Sequence, residues 1–147
     1  MHHACYARSP VSSESEAPIT SSEAITDGIR VTVRACYSME HSDPGRSQWF
    51  FLYTIRITNE GSQTVQLTDR HWIIVDAAGG TQEVRGEGVV GDQPVLEPGE
   101  HFEYTSGCPL STPFGSMAGS YRMQREDGSV FDAEIALFEL VQPLAIH

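Results

Sequence analysis

A chain of 147 residues is the size of one domain, since single domains most often run to roughly 100–150 residues. Nine basic residues, all of them arginine, stand against 20 acidic ones for a net charge of −11, which excludes a general grip on nucleic-acid phosphates or on an anionic membrane surface, both of which need a basic face. The apolar residues, 39% of the chain, come in runs of four or five, far short of the ~20 a bilayer span needs; with no basic start and no apolar leader behind Met1, a cytoplasmic globule is expected.

Residues 1–27 are polar and turn-rich, with Ser9-Pro10 and Ser12-Ser13-Glu14-Ser15-Glu16 and no sustained apolar period, and are expected to form a disordered tail. His2 and His3 there read as incidental. From residue 29 the period is two, as in strands with one buried face. Val31, Val33, Ala35 and Tyr37 form one apolar face, and Trp49, Phe51, Tyr53, Ile55 and Ile57 a second, separated by the Asp43-Pro44-Gly45 loop. After the turn cluster Asn59-Glu60-Gly61-Ser62, Gln63 to Leu67 starts another strand. His71 to Val75 predicts a central strand, closed by Asp76-Ala77-Ala78-Gly79-Gly80, with Thr81 to Val84 returning as a hairpin. The pattern loosens over residues 86–99 and resumes at His101 to Ser106, with Phe102 and Tyr104 on one face. Gly119, Tyr121 and Met123 carry the next strand, the Asp127-Gly128 turn follows, and Phe131, Ala133, Ile135 and Leu137 are expected to face inward before the phase slips to Phe138 and Leu140, as at a bulge. Residues 142–147 read as a short tail.

Seven or eight short antiparallel strands with no helix between them predict an all-β, immunoglobulin- or fibronectin type III-like β-sandwich; a closed barrel is the lesser alternative. Cys5, Cys36 and Cys108 are odd in number and far apart, which supports neither a disulfide framework nor a zinc knuckle.

Arg85-Gly86-Glu87-Gly88-Val89-Val90-Gly91 contains Gly-x-Gly-x-x-Gly, a phosphate-binding spacing when it joins a strand to a helix. Here Asp92-Gln93-Pro94 follows, without helical period, and Glu87 and Asp92 add negative charge. The glycines are expected to supply positive φ and close backbone approach at an irregular crossover. Consecutive free N–H groups there would make an anion nest, aided by Arg85 or Arg70. Arg70 and Trp72 share one strand face and His71 takes the other, so Trp72 is expected to pack inside and His71 to find a hydrogen bond; no catalytic pairing with Glu83 or Glu103 is legible. Cys108 precedes a proline with no base beside it and reads as a small buried cysteine. His41, His71, His101 and His147 follow no metal-ligand spacing.

Three strings, Arg70 to Ile74, Glu83 to Leu96 and Phe102 to Leu110, closely resemble the ApaG domain, and the likeness continues through Thr112-Pro113, Gly115-Ser116-Met117 and Gly119-Ser120-Tyr121. It covers about residues 28–141; Phe114 is an insertion in the pattern. The resemblance implies a fibronectin type III-like sandwich without assigned catalytic residues. It implies, for bacterial members, a genetic link to cobalt and magnesium resistance or efflux, and, for eukaryotic relatives beside F-box modules or in a DNA-polymerase-interacting protein, a protein-interaction role. It also carries a suggestion of nucleotide or pyrophosphate binding at the motif glycines, here Gly86, Gly88 and Gly91. The function expected is therefore a non-enzymatic module that binds a protein partner, without cofactor or metal. The alternative is a binder of phosphate, pyrophosphate or a nucleotide, metal-bridged or not, at Arg85, Gly86, Gly88, Gly91 and Arg70. Exposed sheet edges also leave a homodimer open.

Overall fold

The computed structural model describes residues 19–143. The expectations placed on His2, His3, Cys5, most of the N-terminal tail and His147 lie outside these residues. Nine strands are present: β1 (Thr20–Thr26), β2 (Ile29–Tyr37), β3 (Trp49–Asn59), β4 (Val65–Asp76), β5 (Thr81–Glu87), β6 (Val95–Leu96), β7 (His101–Leu110), β8 (Phe114–Arg125) and β9 (Val130–Val141). One sheet runs β1-β2-β3-β7 and the other β5-β4-β8-β9, with β6 paired to β4. Every pairing is antiparallel. From residue 29 onward this is an eight-stranded sandwich, as the alternation predicts.

The register aligns the apolar positions in rows. Val33, Ile55 and Tyr104 lie side by side across β2, β3 and β7, and Ala35, Tyr53 and Ser106 form the next row. From the other sheet Met117, Tyr121, Ile135 and Phe138 answer them, each at most 2% exposed. Trp72 bridges the layers, its indole edge-on to Tyr53 with ring centroids 5.4 Å apart and to Phe138 at 6.0 Å. Offset and edge-on contacts of this kind contribute beyond area burial.

Three expectations are corrected. Residues 20–26 are not part of a disordered tail but the edge strand β1. Its half-buried face is Thr20, Ser22, Ala24 and Thr26, too polar to register as an apolar face. It is held by hydroxyls instead: Thr20 Oγ1 donates to the Glu139 carbonyl (2.5 Å), Ser22 Oγ donates to that of Ala136 (2.7 Å), and the Glu134 N–H donates to Thr26 Oγ1 (3.1 Å). These bonds occupy backbone groups of β9 and seal that side of the sandwich. Second, the segments read as separate strands at 63–67 and 71–75 are one strand, β4, interrupted by a bulge. Leu67 faces Met123 while Asp69 faces Arg122, so Thr68 is the extra residue, and the inward phase moves from Val65 and Leu67 to Arg70, Trp72 and Ile74. Third, the slip in β9 comes before Leu137. Met117 faces Phe138 and Gly119 faces Ile135, leaving Ala136 and Leu137 opposite one residue, and Leu137 points outward, 59% exposed.

Candidate functional site

The side opposite the sealed edge stands open. There β5 and β7 end their sheets, each paired on one flank only among the described residues, and between them lies a cleft of about 370 Å³, within the usual range of ligand pockets. One wall comes from β3 and β7, with Tyr53, Tyr104, Ser106 and Cys108. The other comes from β4, β5 and β8, with Arg70, Trp72, Ile74, Val84 and Met117. All are inward-facing by register, so the cleft is the unfilled margin of the core, apolar along its walls and hydroxylic at one end.

That end is organised around the Thr68 bulge. A bulged residue leaves ladder groups unpaired, and here the Thr68 carbonyl accepts from the Gly88 N–H (2.9 Å) and from Gln93 Nε2 (2.9 Å). The glycine-rich segment is thereby stitched to β4. Arg70 tightens the stitch: Nη1 donates to the carbonyls of Glu87 (3.0 Å) and Gly88 (2.8 Å). Gly86 leaves room beneath it: a Cβ there would lie 2.7 Å from Arg70 Nη2, so a larger residue would have to displace the guanidinium. Beyond Gly88 the chain reverses in a two-residue hairpin. Val89 and Asp92 exchange N–H···O bonds of 2.8 Å in both directions, and Val90 and Gly91 have φ of +42° and +86°, the pattern of a type I′ turn. Val89 is buried at 1% exposure, whereas Val90 stays 57% exposed at the rim of the cleft.

The five residues singled out in the sequence do not converge. Arg70 and Gly86 share the inner face, but Arg85 pairs with His71 on the outer face, where its Nη2 reaches Glu83 Oε1 (3.4 Å). The glycines do supply the positive φ and close approach expected: Gly88 has φ of +64°, and a Cβ on it would meet the Asp92 carbonyl at 2.4 Å. The N–H groups of Gly88, Val89 and Asp92, however, already donate to the carbonyls of Thr68, Asp92 and Val89, so these three amides are not open to an anion.

His71 is hydrogen-bonded, as expected, and its partner is Glu83: Nε2 and Oε1 lie 3.1 Å apart, and this bond holds the Glu83 carboxyl below its usual range. Glu103 is on the other sheet beside Arg56 (3.4 Å). Cys108 is 3% exposed, and burial pushes its thiol up to about 11, which suppresses the nucleophilic thiolate. The Tyr104 and Tyr121 hydroxyls bond to each other; burial raises both above the usual phenol range, and Arg70 opposes that rise from nearby. Tyr53 is raised by burial too, against a hydrogen bond to Ser106. Among the described residues no group of three or more His, Cys, Asp or Glu could hold a metal ion, and no helix is long and apolar enough to cross a membrane.

What the sequence reading missed is the cleft itself. Tyr53 lies in a plainly alternating strand and Tyr104 and Ser106 in the Phe102 to Leu110 string, but no spacing there marks a pocket, and only the pairing of β3 with β7 and the facing of two sheets bring them to Arg70 and Trp72.

A family model described as the ApaG domain matches residues 39–125, and the chain is 60% identical over 126 residues to Protein ApaG of Anaeromyxobacter dehalogenans strain 2CP-C, covering 86% of this chain and 99% of that one. The chain belongs to the ApaG family. Protein ApaG of Methylorubrum populi is 59% identical over 121 residues, covering 82% of this chain and 93% of its own. Among solved structures, the crystal structure of the ApaA protein from Bordetella pertussis superposes with a TM-score of 0.77 at 53% identity, covering 80% of this chain and 95% of that one. The cleft-lining positions from Tyr53 to Met117 all fall inside the matched ApaG domain.

Proposed function

We infer that this ApaG-family chain is a non-enzymatic binding module that recognises a protein partner at the open β5–β7 edge. The observation that carries this reading is the cleft: an aromatic and aliphatic slot framed by two edge strands with one unpaired flank each. An extended segment of another protein can add to such an edge through its backbone while a side chain fills the slot. The groups that chemistry would draw on speak against an enzyme, since the buried Cys108 thiol is held neutral and His71 is paired to Glu83 on the outer face. Any effect of the protein on cobalt or magnesium tolerance would then pass through that partner.

The test is site-specific photo-crosslinking in the native host, with benzoylphenylalanine at Val90 on the cleft rim and, as control, at Leu137, which is equally exposed on the far side. The expected result is one protein captured from Val90 and not from Leu137, identified by mass spectrometry, that rebinds the purified domain and fails to rebind Val84→Asp. Equal capture from both positions, or rebinding indifferent to Val84→Asp in a folded variant, would overturn the reading.

A further inference from the structure

We propose that the occupant of the cleft is the carboxyl terminus of a partner chain, with its last side chain apolar and its α-carboxylate received by Arg70. This rests on the protein-binding reading above and names the chemistry it recognises.

Three observations converge on it. The first is charge. Arg70 is the one charged side chain lining the cleft, and it takes part in none of the ion pairs among the described residues. Among the described residues only its Nη1 has hydrogen-bond partners, two carbonyl oxygens, and no carboxylate stands within ion-pair distance of the guanidinium. A planar fork of N–H donors is matched by a carboxylate. The count of charges matters as well. A single arginine in a protein of net charge −11 can balance one negative charge, whereas a nucleotide would bring several into an opposing field.

The second is the shape of the slot. Arg70, Gly86 and Tyr121 form one row of the sheet, then come Trp72 and Val84, then Ile74 and Gln82. The hairpin of Val89 and Val90 lies against the Arg70 row, because Arg70 itself holds the carbonyls that lead into it. A strand entering along β5 or β7 from the Ile74 end therefore meets the hairpin and the positive charge together. That suits a chain that stops there better than one that continues.

The third is the strained rim. Val90 is a β-branched residue at positive φ with its apolar side chain left 57% exposed, a conformation that costs energy and is characteristically retained where a binding surface needs it. Its side chain borders the space beside Trp72 and Val84, where an apolar terminal residue would lie.

The experiment presents the intact protein with an array of short peptides whose last two positions run through the apolar residues. Each is made with a free carboxyl terminus and as the C-terminal amide, and binding is followed by Trp72 fluorescence and by amide NMR shifts. The expected result is saturable binding of a subset ending in aromatic or branched aliphatic residues, shifts centred on Ser106, Val84 and Val90, and at least a tenfold loss on amidation. Val90→Asn is expected to weaken that binding about threefold while the fold becomes more stable, which a purely structural role for Val90 would not produce. Amides that bind as well as acids, or shifts mapping away from the cleft, would overturn the proposal; so would a failure of every free-carboxyl peptide to bind. N-acetylphenylalanine that bound as tightly as the best peptide would assign the site to a free small acid instead, and would overturn it too. Photo-crosslinking that still captured a partner after the array failed would leave the protein-binding reading standing and remove only the terminus.

Discussion

Replacing Val90 by asparagine tests the account of the glycine-rich loop at its sharpest point. Val90 and Gly91 have φ of +42° and +86° between two mutually hydrogen-bonded residues. A residue with a Cβ pays about 1–2 kcal/mol in the left-handed region, and a β-branched one cannot relieve the crowding by rotating χ1. Asparagine tolerates the region, and Asn-Gly is the favoured pair for a two-residue type I′ hairpin. Against this gain stands lost apolar contact. Val90 is 57% exposed, so somewhat under half of the ~1.5 kcal/mol for burying a valine is forfeited, about 0.6 kcal/mol. The net expectation is a stabilisation of about 0.5–1 kcal/mol, which for a domain of this size raises the melting temperature by about 2–4 °C. Calorimetry and urea titration of the two proteins side by side measure it. A midpoint at or below that of the parent would refute the reasoning, since it would mean that Val90 carries no backbone strain or that its rim contacts outweigh it.

Trp72→Ala should cost about 3–5 kcal/mol, the usual range for removing a buried indole, and urea unfolding would read it. A loss below 1 kcal/mol would mean that the bridge to Tyr53 and Phe138 is not part of the core. Deleting residues 1–26 removes β1 and uncovers the β9 groups its hydroxyls occupy, so the truncated protein should self-associate in light scattering, while deletion of residues 1–18 keeps β1 and should leave it as dispersed as the parent. With its thiol at about 11 against an ordinary 9.0, Cys108 should react with iodoacetamide at pH 8 about a hundredfold more slowly in the native protein than in urea, by peptide mass spectrometry. Glu60, Glu83 and Asp127 are held below their ordinary values by bonds to Arg30, His71 and Ser129. Their contribution is therefore complete above the unfolded values of 4.5, 4.5 and 3.8 and is lost as the pH falls below them. The melting temperature should hold from pH 7 to pH 5 and drop below pH 4; these groups are exposed, so the drop is modest, and an unchanged midpoint at pH 3 would contradict the pairing.

The strands that could be read from sequence are those whose stabilisation is carried by apolar side chains alone. Val31, Val33, Ala35 and Tyr37 alternate cleanly because one face of β2 meets the core. β1 could not be read in that way, since Thr20, Ser22 and Thr26 are held by hydroxyl bonds to β9, and a hydroxyl that bonds a strand looks the same in sequence as one in a loop. Leu137 falls on the face opposite to the one its alternation predicts for a different reason: a bulge changes the phase by one, and sequence gives the fact of a slip more readily than its position. The site divides along the same line. The spacing of Gly86, Gly88 and Gly91 marks an unusual backbone, but that the Gly88 amide is taken up by the Thr68 carbonyl, some twenty residues earlier, is not written in that spacing. In sequence Arg70 reads only as a charge able to serve that loop. That it faces inward, next to tyrosines from another sheet, follows only from the register.

The hydroxyl bonds between β1 and β9 also fix where the polypeptide enters and leaves the sandwich. Thr20 opens the first strand and lies against Glu139, two residues from the end of the last. Entry and exit are thus neighbours on the flank that faces away from the cleft, an arrangement that favours insertion into longer polypeptides. A reporter, a tether or a second domain joined through residue 19 or residue 142 would emerge behind the slot and leave its mouth clear. The same proximity makes the order of the strands rewirable: a short linker from 142 to 19, with new ends opened at the Asp127-Gly128 turn, would preserve every ladder of both sheets.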